Sequence, residues 1–272
     1  MKHMKIGSKD FDFAHQVYVM GILNVTPDSF SDGGSYVDPE KALDHALQME
    51  SEGADMIDVG GESTRPGSEP VSADEELKRI LPVLKKIIPR LKCPVSVDTY
   101  KASVAHRALE EGVSLINDIS SLADPEMGGV VVAAKVPIIL MHMQGSPKTM
   151  QKNIFYKNVV EKIFQFLEAK IQQALSLGIR EENILLDPGI GFGKRFEDNL
   201  AILQHLEAFR PLKKPLVFGA SRKSFIRQWV GERPEDILKG SLLAATLAAQ
   251  RGASLLRVHD VGPTRGALRN NL

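Results

Sequence analysis

The chain has 272 residues, 43% apolar and 25% charged, and its 34 Lys and Arg residues balance 34 Asp and Glu residues. This composition excludes a disordered chain, and zero net charge argues against a global attraction to nucleic acid or to an anionic membrane. The single cysteine, Cys93, excludes an internal disulfide, and its apolar neighbours predict a small buried side chain. Because no apolar run reaches the roughly 18–20 residues that span a bilayer and no signal peptide pattern is present, we expect a cytoplasmic protein.

In chain order, residues 1–16 predict a short N-terminal hairpin across the bottom of the domain that follows. Eight short apolar runs come next, each ending on a polar residue, at 17–23, 56–59, 95–97, 115–116, 137–141, 184–186, 215–218 and 255–258. Amphipathic helical patterns separate the runs; the pattern at 160–175 stops at Gly178. Near-continuous apolar strands of this kind are typical of a parallel sheet covered on both faces.

Eight strands that alternate with helices predict an α/β fold, a single (β/α)8 TIM barrel over residues 17–272. An open doubly wound sheet is disfavoured because no glycine-rich dinucleotide fingerprint follows the first strand. No linker rich in Pro, Ser or Gly divides the chain, which indicates one domain. Gly266 is unfavourable for a short final helix.

The carboxyl ends of the predicted strands carry polar and charged side chains. In such barrels the catalytic groups come from these ends and from the loops that follow. The residues there are Asn24, Asp58, Asp98, Asn117, His142, Asp187, Ser221, Lys223, Arg257 and His259. A single member can simply satisfy backbone groups at the rim, but a whole ring of buried carboxylates and amides is costly unless it is paired.

These residues, with those of a nearby loop, divide into two groups by chemistry. One group is acceptor-rich and suits a flat heterocycle with an amino-pyrimidinone edge; it consists of Asp98, Asn117 and Asp187. The other combines guanidinium forks, hydroxyls and an amide, which suit phosphate oxygens and a bound Mg2+; it consists of Arg65, Arg257, His259, Asn24, Ser63 and Thr64.

Several loops near the strand ends add to the candidate site. The polar, glycine-containing loops 28–34 and 62–67 predict lids that order when substrates arrive, and Phe30 in the first argues against an ordinary solvent loop. The segment 189–194 lacks the spacing of a phosphate loop, so we predict a tight turn that places Phe192 against a ligand ring. Segment 221–224 predicts a helix N-terminus that would bind a carboxylate. The sequence has no zinc-ligand spacing and no Ser-His-Asp or Cys-His set.

Two long motifs resemble the signatures of dihydropteroate synthases: MGILNVTPDSFSDGG at 20–34 and DVGGESTRPG at 58–67. The resemblance continues through SVDT at 96–99, ND at 117–118, LMHMQG at 140–145, DPGIGFGK at 187–194, GASRKS at 219–224 and RVHD at 257–260. It implies a transferase of folate biosynthesis that condenses 6-hydroxymethyl-7,8-dihydropterin diphosphate with 4-aminobenzoate to give 7,8-dihydropteroate and pyrophosphate. It also implies dependence on Mg2+, a homodimer to which the last helices contribute, and inhibition by sulfonamides.

The resemblance further implies roles for individual residues. The pterin would be held by Asp98, Asn117, Asp187, Lys223 and Arg257, with Met141, Phe192 and Gly219 beside its ring. The diphosphate would be bound by Asn24, Ser63, Thr64, Arg65, Arg257 and His259, and Asn24 would also hold Mg2+. The aminobenzoate would be contacted by Phe30, Thr64, Arg65, Pro66, Phe192, Lys223 and Ser224. The groups that act in catalysis would be Asp98, Lys223, Arg65, Arg257 and His259.

The chemistry implied is a dissociative transfer in which cations stabilise the leaving diphosphate and Asp98 favours the pterin methylene cation. Alternatives remain on the same fold. A methyltetrahydrofolate:corrinoid methyltransferase would need no diphosphate pocket, and a non-catalytic pterin-binding paralogue would be expected to lose lid or anion-site residues. A phosphate-sugar isomerase would need a Glu/His pair on adjacent strands.

Overall fold

The structure, a computed structural model, describes residues 3–26 and 38–271. The strands in this part of the chain are β1 (Met4–Ile6), β2 (Lys9–Phe11), β3 (Tyr18–Asn24), β4 (Met56–Gly60), β5 (Val95–Asp98), β6 (Leu115–Asp118), β7 (Ile138–Met141), β8 (Ile184–Asp187), β9 (Leu216–Phe218) and β10 (Ala253–Val258). The α-helices there are α1 (Pro39–Ser51), α2 (Ala73–Ile87), α3 (Ala102–Glu110), α4 (Met127–Ala134), α5 (Val159–Ser176), α6 (Phe196–Gln204), α7 (Ser224–Val230), α8 (Pro234–Gln250) and α9 (Val261–Asn271), and two 3-10 helices span Glu181–Asn183 and Leu206–Leu212.

Strands β3 to β10 close into a barrel whose neighbouring strands are all parallel, in the order β10-β3-β4-β5-β6-β7-β8-β9. This confirms the predicted (β/α)8 barrel, and every predicted strand overlaps an observed one. The apolar runs are buried on both faces because helices cover the outside of the barrel and side chains fill its inside. No helix of the described ranges is long and apolar enough to cross a membrane.

The antiparallel pair β1 and β2 forms the predicted hairpin and closes the bottom of the barrel. Its aromatic residue Phe11 lies in one apolar cluster with Met20, Met56 and Leu255 of the barrel interior. Lys9 Nζ lies 3.0 Å from Asp55 Oδ1, just before β4, which fixes the hairpin to the amino-terminal rim. The opposite rim, where the strands end, is therefore left for the site.

Local signals set the helix boundaries. Asp38 and Ser72 accept backbone N–H groups at the starts of α1 and α2, which satisfies donors that have no partner inside the helix. The last helix, α9, forms although it contains Gly266, because Val261 and Leu268 on its inner face are buried. Packing therefore overrides the unfavourable propensity of the glycine. Cys93 is buried as predicted, and burial raises the pKa of its thiol to about 12.

The register of the barrel brings the ends of neighbouring strands to one level. Asn24 lies beside Gly60, Gly60 beside Asp98, and Asp98 beside Asn117. A Cβ atom at Gly60 would lie 3.8 Å from Asp98 Oδ2 and 3.9 Å from Asn24 Oδ1. The missing side chain at this position leaves room for two polar groups from the neighbouring strands.

Candidate active site

An arginine at the end of β10 joins two carboxylates across the mouth of the barrel. Arg257 Nε donates to Asp58 Oδ2 at 2.6 Å, and Arg257 Nη2 donates to Asp98 Oδ2 at 2.7 Å. Asp58 has no exposed surface, and it also accepts from Asn117 Nδ2 at 3.0 Å and from Ser96 Oγ at 2.6 Å. Asp58 thus fixes the guanidinium and the Asn117 amide in one orientation.

Asp98 has an unused acceptor in this network. Its Oδ1 is buried and has no hydrogen-bond partner within the described parts of the chain. Burial raises the pKa of Asp98 to about 7, which the Arg257 guanidinium opposes and the Asp58 carboxylate reinforces. A buried carboxylate oxygen without a donor is unfavourable, so a ligand that brings an N–H group to this point is stabilised there.

Lys223 lies on the opposite side of the mouth, after β9. Its Nζ donates to the Ile190 carbonyl at 2.7 Å and lies 4.4 Å from the centre of the Phe192 ring. Burial lowers the pKa of Lys223 to about 8, and the Asp187 carboxylate opposes this effect. Burial raises the pKa of Asp187, with the charge of Lys223 opposing. These two groups form a second pair of opposite charges on the rim.

Segment 189–194 is a tight turn, as predicted, and it is not a phosphate loop. Gly189, Gly191 and Gly193 all have positive φ, at 72°, 83° and 63°. Their backbone conformation is one that side chains rarely adopt, and a Cβ atom at Gly189 would lie 2.0 Å from the His142 carbonyl oxygen. The N–H groups that a phosphate loop would offer are already used, since Gly189 donates to Asp187 Oδ1 and Gly191 to Asn199 Oδ1.

One wall of the mouth is apolar. Phe192 packs with Met141, Ile119 and Met150 in a small cluster separate from the main core. Phe192 and Met141 were both predicted to flank a ligand ring, and the structure brings them together on the same side as Lys223. Gly219 lies next to Arg257, with a Cβ atom at Gly219 falling 3.5 Å from Arg257 Cβ. The absence of a side chain at Gly219 lets Arg257 lie close to β9.

His259, at the end of β10, is held by Ser221. The backbone N–H of His259 donates to Ser221 Oγ at 3.2 Å, and its Nδ1 lies 3.1 Å from the same oxygen. Burial, followed by the charge of Arg257, lowers the pKa of His259 to about 4. His259 is therefore a neutral imidazole at pH 7 and acts as a hydrogen-bonding group.

The loop after β4 places Ser63, Thr64, Arg65 and Pro66 beside the barrel mouth, with Arg65 and Pro66 exposed. Within the described residues, no hydrogen bond or ion pair links these four to the Asp98–Arg257 network. Gly67 N–H donates to the Pro147 carbonyl at 3.1 Å, which connects this loop to the loop after β7. Among the described residues, this loop is therefore hydrogen-bonded to the loop after β7 and not to the Asp98–Arg257 network.

The two predicted groups come from different strands but meet at Arg257. Asn24, the 63–65 loop, Arg257 and His259 belong to the neighbouring strands β3, β4 and β10, whereas Asp98, Asn117 and Asp187 lie at the ends of β5, β6 and β8. Arg257 joins the groups because it donates to Asp98. Ser224 is exposed and is the first residue of α7, where a helix start is predicted. Phe30 and the first lid loop lie outside the described residues.

Two features of the site are missing from the sequence-based assignment. Asp58 was placed in the ring of strand ends without a role, although it is the most connected carboxylate there. The second feature that the sequence did not predict is a cluster of ionised side chains next to the 63–65 loop. Lys101 Nζ contacts Glu62 and lies 2.5 Å from Glu76 Oε2, and the Tyr100 hydroxyl donates to Glu62 Oε1 at 2.8 Å. A carboxylate inside the apolar run at 56–59 was the available signal for Asp58.

The barrel holds an arginine between two carboxylates and a lysine over an aromatic wall. Its sequence matches the model of the pterin binding enzyme family over residues 20–259. A dihydropteroate synthase of Clostridium beijerinckii is 45% identical over 260 residues, covering 95% of this chain and 94% of the relative. A Yersinia pestis dihydropteroate synthase with a sulfonamide drug superimposes with a TM-score of 0.92 at 42% identity, covering 98% of this chain and 97% of the other. The Xanthomonas albilineans enzyme in complex with 7,8-dihydropteroate gives a TM-score of 0.88 at 40% identity, covering 98% and 97%.

The chain therefore belongs to the pterin-binding enzymes and, within them, to the dihydropteroate synthases, which are transferases of folate biosynthesis.

Proposed function

We propose that the residues described above condense 6-hydroxymethyl-7,8-dihydropterin diphosphate with 4-aminobenzoate, giving 7,8-dihydropteroate and pyrophosphate. The observation that carries the proposal is the unpaired Oδ1 of Asp98, buried beside Asn117 and Arg257. An amino-pyrimidinone edge has N–H donors for this oxygen and a carbonyl acceptor for a cation such as Lys223. The complex of the Xanthomonas albilineans relative with 7,8-dihydropteroate supports a pterin as the ligand in this proposal.

The diphosphate half lies over β10, β3 and β4 in this proposal. Within the described chain Arg257 uses two of its five N–H donors on Asp58 and Asp98, which leaves three for a ligand. If the Ser221 hydroxyl donates to His259 Nδ1, the proton of the neutral imidazole lies on Nε2 and is available to a phosphate oxygen. Arg65, exposed on its loop, supplies a further guanidinium.

The oxygen atoms at this side of the mouth, from Asn24 and from the diphosphate itself, fit a Mg2+ ion that arrives with the diphosphate. No group of three His, Cys, Asp or Glu residues in the described ranges forms a metal site. Asn24 Oδ1, at the level of Asp98, is a neutral hard oxygen, and Mg2+ keeps several waters and binds through few protein ligands when phosphates are present. The ion would be held by Asn24 and the substrate, and it would supply charge neutralisation at the diphosphate.

The chemical step is a substitution at the exocyclic methylene. The C–O bond to the diphosphate breaks, and its electron pair leaves on the diphosphate, where Arg257 donates to the oxygens that gain charge. Asp98 as a carboxylate stabilises the positive charge spread over the pterin ring. The neutral aniline nitrogen of 4-aminobenzoate forms the new C–N bond and then loses a proton to water. The protein contributes positioning and electrostatics and needs no strong general base.

The test is an assay of the purified protein with dihydropterin diphosphate, Mg2+ and 4-aminobenzoate, each omitted in turn. We expect pyrophosphate release coupled to dihydropteroate formation, and its loss without Mg2+. Arg257→Met should lower kcat/KM at least about 100-fold. Arg265→Met is the matched control, since Arg265 pairs with Asp55 at the opposite rim. Pterin binding without release would support the non-catalytic paralogue, and methyl transfer from methyltetrahydrofolate would support the methyltransferase.

Sulfonamides, a homodimer and a cytoplasmic location belong to the same proposal. The sulfonamide complex of the Yersinia pestis relative supports inhibition here that is competitive with 4-aminobenzoate.

Leu243 in α8 is 46% exposed, which supports a contact between copies through the last helices. We expect light scattering to give the mass of a dimer and Leu243→Glu to give that of a monomer. A dimer that survives this substitution would place the contact elsewhere.

A further inference from the structure

A buried lysine beneath the mouth has no part in the reaction described above. Lys194 ends the glycine turn, is 3% exposed, and places its Nζ between the loop after β7 and the turn after β8. The Nζ atom lies 2.9 Å from His142 Nδ1, 3.1 Å from the His142 carbonyl oxygen and 2.9 Å from the Phe192 carbonyl oxygen. These contacts connect two walls of the pocket through one atom.

The number of acceptors around Nζ indicates its protonation state. Burial lowers the pKa of Lys194 well below its ordinary value, and the Asp187 carboxylate opposes this. Three acceptors match the three protons of an ammonium group, whereas a neutral amine would turn its lone pair toward one of them. The three bonds therefore stabilise the charged form in this position.

His142 is suited to accept from this ammonium. Burial, followed by the charge of Lys194, lowers the pKa of His142 to about 2, so its imidazole is neutral. With Nδ1 as the acceptor, its proton lies on Nε2. The ring packs edge-on against Phe166, with centroids 4.9 Å apart, which holds the imidazole plane. Lys194 is thus bound to a rigid partner at the end of β7.

The glycine turn is held between two lysines. The carbonyls of Ile190 and Phe192, which alternate with glycines of positive φ, both accept from lysine side chains. Lys223 donates to Ile190 at 2.7 Å from the ligand side, and Lys194 donates to Phe192 at 2.9 Å from beneath. The Tyr156 hydroxyl adds a bond to the Gly193 carbonyl at 2.8 Å.

We propose that Lys194 is a positioning residue for substrate binding: by joining His142 to the Phe192 carbonyl it holds the Met141 and Phe192 wall against the pterin and aminobenzoate rings. The Asp58–Asp98–Arg257 network is anchored on other strands and does not contact Lys194. Loss of the Lys194 bonds therefore affects substrate binding more than the chemical step. This inference rests on the proposed function, because the rings it names are those of the proposed substrates.

The test compares Lys194→Met with Lys214→Met. Lys214 is a matched control: its side chain is 1% exposed, and it binds Glu181 at the opposite rim, at 2.8 Å to Oε1 and 3.1 Å to the carbonyl. We expect Lys194→Met to raise the KM values for dihydropterin diphosphate and 4-aminobenzoate about tenfold or more, with kcat within about threefold of the parent. Lys214→Met should leave both KM values unchanged, although both variants lower thermal stability.

A double-mutant cycle with His142→Phe separates positioning from general loss of stability. If Nζ acts through His142, adding Lys194→Met to His142→Phe should raise KM little further. Independent, additive effects, or equal KM values for Lys194→Met and Lys214→Met, would overturn the proposal. Should Lys194→Met not fold, Tyr156→Phe loosens the same turn and must raise KM without lowering kcat. Failure of the parent protein to form dihydropteroate would instead refute the proposed function.

Discussion

Replacing Asp58 by asparagine tests whether this buried carboxylate controls both the arginine and the ionisation of Asp98. The amide keeps an oxygen for Arg257 Nε and Asn117 Nδ2 and can donate to Ser96 Oγ, so the shape of the network is retained. What is lost is the charge. Hydrogen bonds to charged groups contribute about 1.5–3 kcal/mol and neutral ones about 0.5–1.5 kcal/mol. We therefore expect the free energy of unfolding to fall by about 1–2 kcal/mol.

For a chain of this size that loss corresponds to a decrease in Tm of roughly 2–8 °C. Asp58→Ala should cost more, about 3–5 kcal/mol, because it leaves the Arg257 charge with one carboxylate and the Asn117 amide without its acceptor. Thermal unfolding followed by circular dichroism measures both. Asp55→Asn is the control for stability, since Asp55 also pairs with an arginine, Arg265, but at the opposite rim.

The decisive measurement is the pH profile of kcat/KM. The Asp58 carboxylate contributes to the raised pKa of Asp98, so removing its charge lowers that pKa. If Asp98 acts as a carboxylate, activity falls as the pH drops through about 7 in the parent protein. The acid limb of Asp58→Asn must then lie at lower pH, while that of Asp55→Asn stays in place. An unmoved limb, or one shifted to higher pH, would refute the assignment of the limb to Asp98.

Three further outcomes follow from single contacts. Gly189→Ala should destabilise the protein by more than about 3 kcal/mol, because its Cβ would lie 2.0 Å from the His142 carbonyl oxygen. Gly129→Ala in α4 is the control: the new Cβ would lie in open space, and Tm should rise slightly. Differential scanning calorimetry measures both changes. The pKa of His142 is about 2 in the folded protein and near 6.5 in the unfolded chain, so its contribution to stability is full above pH 6.5 and is lost as the pH falls. The free energy of unfolding measured in urea should therefore be lower at pH 5 than at pH 7 by up to about 2 kcal/mol because of this group. The difference between the two pH values should be smaller in His142→Gln. Arg257→Lys should lose most of kcat/KM in the coupled assay, because one ammonium cannot replace the two N–H donors that reach separate carboxylates; near-parental activity would contradict the bridging role.

Much of the fold follows from local patterns in the sequence. The apolar run at 184–186 predicts β8 because a strand buried on both faces needs apolar residues at consecutive positions. The helical spacing at 160–175 predicts α5 to within a residue at each end, and Gly178 marks its stop. Since a closed parallel barrel brings every strand's carboxyl end to one rim, the ring of polar residues after the strands could also be predicted.

The sequence did not predict the outcome at Gly266, where tertiary contacts outweigh local propensity. A glycine lowers helix stability by about 1 kcal/mol, but α9 buries Val261 and Leu268, and Arg265 donates to the Gly53 carbonyl at 2.8 Å. Burial of apolar side chains and a bond to the distant turn before β4 exceed this cost.

The sequence by itself determined the strands, the helices and which polar side chains share the mouth of the barrel, because these depend on periodicity and on the closure of a parallel sheet. Only the tertiary structure decided their partners. Asp58 lies inside one apolar run and Asp98 ends another, yet the first accepts from three donors and the second keeps an unpaired oxygen. Lys194 lies beneath the wall that Lys223 faces, and His259 is neutral. Pairing and ionisation depend on distance and burial between residues far apart in the chain, and local sequence contains neither.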